Sequence, residues 1–205
     1  MIPRDWVGDP AVVIASGPSL TQDDVDYCRG RAWVVVVNDN YRRAPWADVL
    51  YAADAEWWRV HDGVMGFRGE KWCPDEATAK EFGCRLIDVR APDKAGDVTN
   101  NAFSTDPAIL HRMGGNSGGQ ALNMAILRGA SPVYLLGFDM QPTGGRKHWF
   151  GDHPSSLRKS QNFDSWRRAL DAAYPQAAAL GVEIVNCSRE TALTAYPRAS
   201  IANCL

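Results

Sequence analysis

The sequence predicts an α/β protein: a single Rossmann-like domain over residues 1–205, built on a mostly parallel sheet with helices on both faces. Three observations predict it. Short apolar runs without alternation recur along the chain, as expected of strands buried on both faces of a parallel sheet. Helix-type segments separate them, so that strand and helix alternate. Several of the runs end in a polar or glycine-rich turn: Ser16-Gly17-Pro18-Ser19, Asn38-Asp39-Asn40, Asp54 and Gly137-Phe138-Asp139.

Taken in order, Ala11 to Ala15 is the first strand. Thr21 to Arg29 follows as a helix, with Thr21 as N-cap and Asp24 at the capping-box position. Trp33 to Val37 and Asp48 to Ala52 are the second and third strands, and Asp54 to Val60 is helical. Lys71 to Cys73 and Cys84 to Asp88 read as strands flanking a helix from Asp75 to Phe82. Arg90 to Thr105 is polar and rich in Gly, Asp and Asn, a long loop of the kind that often has a function. Asp106-Pro107 predicts the start of a short helix, Asp as cap and Pro at the first helical position. Ser117 to Arg128 carries one apolar stripe (Ala121, Leu122, Ala125, Ile126) and stops at Gly129. Val133 to Leu136 is a strand, Gln141 to Ser160 a second long loop, Phe163 to Leu180 a long helix and Val182 to Val185 the last strand.

Composition narrows the class. Hydrophobic residues at 45% and charged residues at 22% suit a globular core. A formal net charge of -2 removes any global attraction to nucleic acid or membrane, so a phosphate-bearing partner must find a local patch. The longest apolar run, Ala32 to Val37, is strand-sized and far from a membrane span, and the start has no apolar signal core; a cytoplasmic protein without membrane contact is expected. Five scattered cysteines without Cys-x-x-Cys spacing predict reduced thiols and no thiolate metal site.

Four segments carry candidate chemistry. Ligands of open α/β sheets sit beyond the carboxyl ends of the strands, where Ser16, Gly17, Pro18 and Ser19 leave the first strand. There a glycine permits close backbone approach and the serines offer hydroxyls, equally the makings of a tight turn. Gly114-Gly115-Asn116-Ser117-Gly118-Gly119 opens the strongest helix, and its free amides, macrodipole and Ser117 hydroxyl form a phosphate cradle. Neither segment is a dinucleotide fingerprint or a P-loop. The strand-end residues Asn38, Asp39, Asp54 and Asp139 can read a base or ribose or hold magnesium, although an Asx turn or helix cap alone explains Asp54. Finally, Arg146-Lys147-His148-Trp149-Phe150-Gly151-Asp152-His153 brings two of the four histidines beside basic residues. A histidine there suits a general base, and Arg146, Lys147 and Arg158 suit a departing phosphate. Two histidines without a carboxylate pair do not argue for zinc.

At these residues the chain resembles the bacterial sialyltransferases of the Campylobacter type. The similar segments are Val12 to Leu20, Val37-Asn38-Asp39, Asn116 to Gly119, Val133 to Asp139 and the His-aromatic-x-Gly-x-His pattern at His148 and His153. The archaeal 6-hydroxymethylpterin diphosphokinase-like family and phage proteins share the layout. The resemblance implies a transferase whose nucleotide-sugar co-substrate lies across Ser16, Gly17, Ser19, Asn38, Ser117, Gly118 and Asp139. It further implies His153 or His148 as base on an acceptor hydroxyl, and no essential cofactor or metal. The chain departs from that family in having Ser16 and Asp54 where its members have Asn, one extra residue between the histidines, and no clear acceptor lid. Three functions follow as expectations: a glycosyltransferase; a magnesium-dependent diphosphokinase using ATP and a pterin-like alcohol, with Asp54 and Asp139 on the metal; or a nucleotide- or nucleic-acid-binding module without turnover, suggested by the excess of base from Gln141 to Leu170. Homo-oligomerisation is left open.

Overall fold

The computed structural model describes residues 1–90, 101–157 and 161–205. Its strands are β1 (Ala11–Ile14), β2 (Trp33–Val37), β3 (Val49–Tyr51), β4 (Glu70–Cys73), β5 (Arg85–Leu86), β6 (Asp88–Arg90), β7 (Ile109–His111), β8 (Val133–Leu136) and β9 (Ile184–Asn186). Its α-helices are α1 (Gln22–Tyr27), α2 (Ala55–Val60), α3 (Glu76–Phe82), α4 (Ser117–Leu127) and α5 (Phe163–Ala179). A seven-stranded sheet runs in the order β5-β4-β3-β2-β1-β8-β9, and every pairing in it is parallel. The fold is α/β and Rossmann-like, as the apolar runs predict.

Period-two geometry sends alternate residues of each strand to opposite faces. Val13, Val35, Tyr51 and Leu135 pack with Leu122 and Ala125 of α4 and with Leu170 and Ala173 of α5. Val12, Ile14, Val36, Leu50 and Leu136 pack with Val25 of α1, Trp57 and Trp58 of α2 and Ala79 of α3. Both faces are therefore covered, which is why β1, β3 and β8 carry no charged residue.

Local signals account for the helix starts. Thr21 caps α1 through the Asp24 amide, Asp54 caps α2, Asp75 caps α3, and Asn116 caps α4 through the Gly119 amide. Asp24 closes no capping box; its carboxylate takes two hydrogen bonds from Arg189 at 2.7 and 3.0 Å. One buried cation ties remote segments together. Arg128, only 2% exposed, pairs with Asp5 and with Glu70 of β4, and its guanidinium lies 4.4 Å from the Trp6 ring centroid.

Two expectations are corrected. Asp106 does cap a turn, accepting from the Ala108 amide at 2.9 Å, but no helix follows. Ile109–His111 is instead strand β7, paired in parallel with Asp88–Arg90. The run Cys84 to Asp88 is not one strand: Arg85–Leu86 extends the main sheet and Asp88–Arg90 joins the separate β6–β7 pair, with buried Ile87 between them. Of the long loop expected at 90–106, residues 91–100 lie outside the described residues. So do Arg158 and Lys159 of the second loop.

Candidate functional site

The chain runs outward from β1 through β2, β3, β4 and β5, then returns to place β8 and β9 on the other side of β1. The strand order reverses between β1 and β8. A crevice opens at such a switch point because the two connections leave in opposite directions. Here the strand exits are joined: the Gly17 amide donates to the Gly137 carbonyl at 2.8 Å. Buried Asp139 fastens them further, accepting from the Ser19 amide (2.9 Å), the Ser19 hydroxyl (2.7 Å) and the Thr143 hydroxyl (2.9 Å). Burial raises the Asp139 carboxyl above its ordinary range, and the Ser19 hydrogen bonds oppose that rise. Gly17 is explained by the same contact. A Cβ on it would lie 2.1 Å from Asp139 Oδ1 and 2.5 Å from the Gly137 carbonyl oxygen. The glycine makes room for a carboxylate of its own chain, a reason different from the close ligand approach expected of it.

Around this junction lies a pocket of about 810 Å³, within the usual range of small-ligand sites. Ser16, Gly17, Asn38, Asp54, Asn116, Ser117, Gly118, Asp139, Lys147, His148 and His153 all line it. Segments distant in sequence thus meet in one hollow. Pro18, Ser19, Asp39 and Arg146 are not on its wall. Ser19 is spent on Asp139, and Arg146 sits in an exposed turn with Thr143. Asp39 turns into the protein, accepting from Trp57 Nε1 at 2.9 Å and facing Arg42 at 3.4 Å and His61 at 3.6 Å. That correction has a local cause: Asn38 takes a positive φ of 51°, which rotates the chain and buries the next side chain.

The α4 end of the pocket has the character of an anion site. Of the amides in the first turn, Gly119 is held by the Asn116 side chain at 2.9 Å and Gln120 by the Asn116 carbonyl. The Ser117 and Gly118 amides meet no acceptor among the described residues, and both residues face the pocket. The glycines preceding and opening α4 divide by cause. Gly114 and Gly115 carry φ of 68° and 84°, whereas Gly118 and Gly119 allow close packing on Phe138 and Met113. Arg112, absent from the sequence-based candidates, reaches the same wall. Its backbone is fixed from the core: Gln120 donates to the Arg112 carbonyl at 3.0 Å and accepts from the Tyr51 hydroxyl at 2.7 Å.

The histidine loop is pinned opposite. Trp149 donates its backbone amide to the Ser16 carbonyl at 3.1 Å and its indole N–H to Asn40 Oδ1 at 2.8 Å. Asn40, fully buried, donates in turn to Ile14 and Val37 carbonyls and to the Ser16 hydroxyl. The Arg43 guanidinium covers the Trp149 ring at 4.1 Å. On that anchored turn, His148 stacks on Phe150 (4.9 Å, 6°) and meets His153 edge-on at 4.7 Å. Burial lowers both imidazoles, His148 to about 4, with the neighbouring His153 adding to the effect; the Asp39 carboxylate opposes the shift at both. His61, 3.6 Å from the Asp39 carboxylate, is lowered by burial too, so all three histidines within the field of Asp39 favour the neutral form.

The Gln161 amide nitrogen lies 2.5 Å from His148 Nε2, while Gln161 Oε1 is buried with no partner among the described residues. Turning the amide over puts Oε1 on a His148 Nε2–H. In either orientation His148 Nε2 is occupied by Gln161. Phe163 and Trp166 at the start of α5 add an aromatic wall beside Asn162. Arg112 and Gln161 were missed because neither belongs to a local motif, and only the tertiary arrangement brings them to the pocket.

Fold and pocket together define a Rossmann-like α/β protein with a polar and aromatic cleft at its switch point. No family model, curated protein or solved structure matches the chain. No helix among the described residues is long and apolar enough to cross a membrane.

Proposed function

We propose that the pocket binds a nucleotide sugar and that the protein transfers the sugar to an acceptor hydroxyl, with His153 as general base. The observation that carries this reading is the convergence, in one pocket, of two acceptorless helix amides, two cations and a neutral imidazole. The phosphate lies on the Ser117 and Gly118 amides, flanked by Arg112 and Lys147. The nucleobase lies toward Phe163 and Trp166. Neutral His153 takes the acceptor proton as the acceptor oxygen bonds to the anomeric carbon. The bond from that carbon to the phosphate oxygen breaks, and the helix amides and cations receive the negative charge that leaves. His148, its Nε2 held by Gln161, orients the loop.

The diphosphokinase alternative needs Asp54 and Asp139 to share magnesium. Asp139 already accepts three hydrogen bonds from Ser19 and Thr143, a donor set that favours turnover without a metal. Turnover should therefore survive EDTA. The test pairs binding with activity. Thermal-shift screening of CMP, UDP, GDP, ATP and their sugars finds the nucleotide, since a ligand at about 100 times its Kd adds about 2.7 kcal/mol of stability. His153→Ala should then lose about 10²–10⁴-fold in transfer rate while still binding that nucleotide. Equal, mild losses in His153→Ala and His148→Ala would remove the histidine mechanism. Binding without turnover of any nucleotide sugar would make the protein a binding module.

A further inference from the structure

A second concavity lies at the opposite end of the sheet. It is a groove of about 570 Å³ formed by the segments that lead into β1, β2 and β3. Ligands of the switch-point crevice cannot reach it, because it opens at the amino ends of the strands. Two indoles face it. Trp33 is 38% exposed and held flat against buried Trp6 (5.2 Å, 7°), and Trp46 is half-buried beneath the Arg29 guanidinium at 5.7 Å. Trp33 is a large aromatic left in solvent on a rigid support, although stacking on Trp6 costs it the freedom to turn away.

The polar groups between the indoles are of both signs: Asp9 and Asp48 against Arg29 and Arg31. Each carboxylate is fixed through one oxygen. Asp9 Oδ2 accepts from Trp33 Nε1 at 3.1 Å, and Asp48 Oδ2 accepts from the Val34 amide at 2.8 Å. The second oxygen of Asp9 has no hydrogen-bond donor among the described residues. This charge balance selects the ligand class. A polyanion such as nucleic acid gains no net attraction where two carboxylates balance two guanidiniums. A cation seeking an aromatic cage finds Arg29 already over Trp46. A neutral, polyhydroxylated ring needs neither a net charge nor a cage: its C–H face stacks on the solvent-facing side of Trp33, and its hydroxyls donate to carboxylate oxygens and accept from guanidinium N–H groups.

We propose that this groove is a carbohydrate-binding site for neutral oligosaccharides, separate from the pocket at the switch point. The proposal stands on the groove alone and does not need the transferase reading. It is tested on the intact protein by following the indole N–H resonances of Trp33 and Trp46, assigned with Trp33→Phe and Trp46→Phe, while maltotetraose and then chitotetraose are added. At least one of the two sugars should move both resonances saturably and leave that of Trp166 in place. Trp46→Ala should weaken the effect, read at Trp33, by about tenfold or more, equivalent to about 1.4 kcal/mol. Arg29→Ala, an exposed change that leaves the core untouched, should weaken it severalfold. Resonances of Trp33 and Trp46 unmoved by both sugars overturn the proposal, as does a shift that survives Trp46→Ala undiminished. Nucleotides report on the pocket through Trp166, so failure in the groove and failure in the pocket are read separately.

Discussion

His148 offers the sharpest check on the electrostatics of the pocket, because its burial has a consequence for stability that can be worked out. In the unfolded chain an imidazole protonates near 6.5, whereas in the folded protein burial, aided by His153, holds His148 at about 4. As the pH falls through 6.5 the unfolded state takes up the proton first, so folding loses free energy between pH 6.5 and 4 and nothing further below. Above 6.5 the histidine imposes no penalty. Linkage at 1.36 kcal/mol per tenfold change gives a loss of about 2 kcal/mol between pH 7 and pH 5 if the shift is fully expressed. Partial exposure lets solvent screen the charge, which brings the expected loss to about 1 kcal/mol. The assay is urea denaturation of the wild type and His148→Gln at both pH values. Glutamine retains a hydrogen-bonding group for Gln161 and cannot titrate. The wild type should lose about 1 kcal/mol more than the variant on going from pH 7 to pH 5. Parallel losses in the two proteins would mean that His148 is solvated and charged, and the neutral-imidazole picture of the loop would fail with it.

Other perturbations probe other parts of the arrangement. Gly17→Ala should destabilise by about 3–5 kcal/mol, the sum of overpacking and of displacing Asp139 from its donors, and a shift in the urea midpoint measures it. A loss under about 0.5 kcal/mol would show that Asp139 has room to retreat. Arg112→Ala, at an exposed position, should raise the nucleotide Kd by about tenfold with the melting temperature unchanged; unaltered affinity in a calorimetric titration would remove Arg112 from the phosphate site. Arg128→Ala and Arg128→Met should each cost about 3 kcal/mol by removing the buried cation that pairs with Asp5 and Glu70; a much smaller loss in Arg128→Met would point to lost packing as the cause.

Much of the scaffold was legible because it rests on local physics. The runs Val12-Val13-Ile14 and Val34 to Val37 cannot be half-exposed strands, since neither face could tolerate water. Thr21 and Asp54 were readable as caps because a short polar side chain beside a helix start commonly accepts from the free helix amides. What failed to read depended on partners far along the chain. Asp106-Pro107 has the chemistry of a helix start, and Asp106 does cap a turn. The following Ile109-Leu110-His111 then finds the edge of Asp88–Arg90, and ladder pairing outweighs the weak preference for another helical turn. Gly17 lines the pocket and also makes room for Asp139, a second contact that nothing nearby in sequence announces.

The same distinction separates the floor of the pocket from its rim. The floor is set by strand order: once β8 returns beside β1, Gly17, Gly137 and Asp139 must share the space between two diverging connections, and their mutual contacts leave them little freedom to vary. The rim is assembled from Arg112, Lys147, His153, Gln161 and Trp166, carried on the turn before α4, the loop after β8 and the start of α5. None of these five is needed to close the sheet. Substitutions on the floor should therefore be read as stability, and substitutions on the rim as affinity or rate. Asp54 bridges the two categories: its Oδ1 caps α2 through the Glu56 amide while the residue also faces the cleft, so helix stability and ligand recognition meet on a single carboxylate.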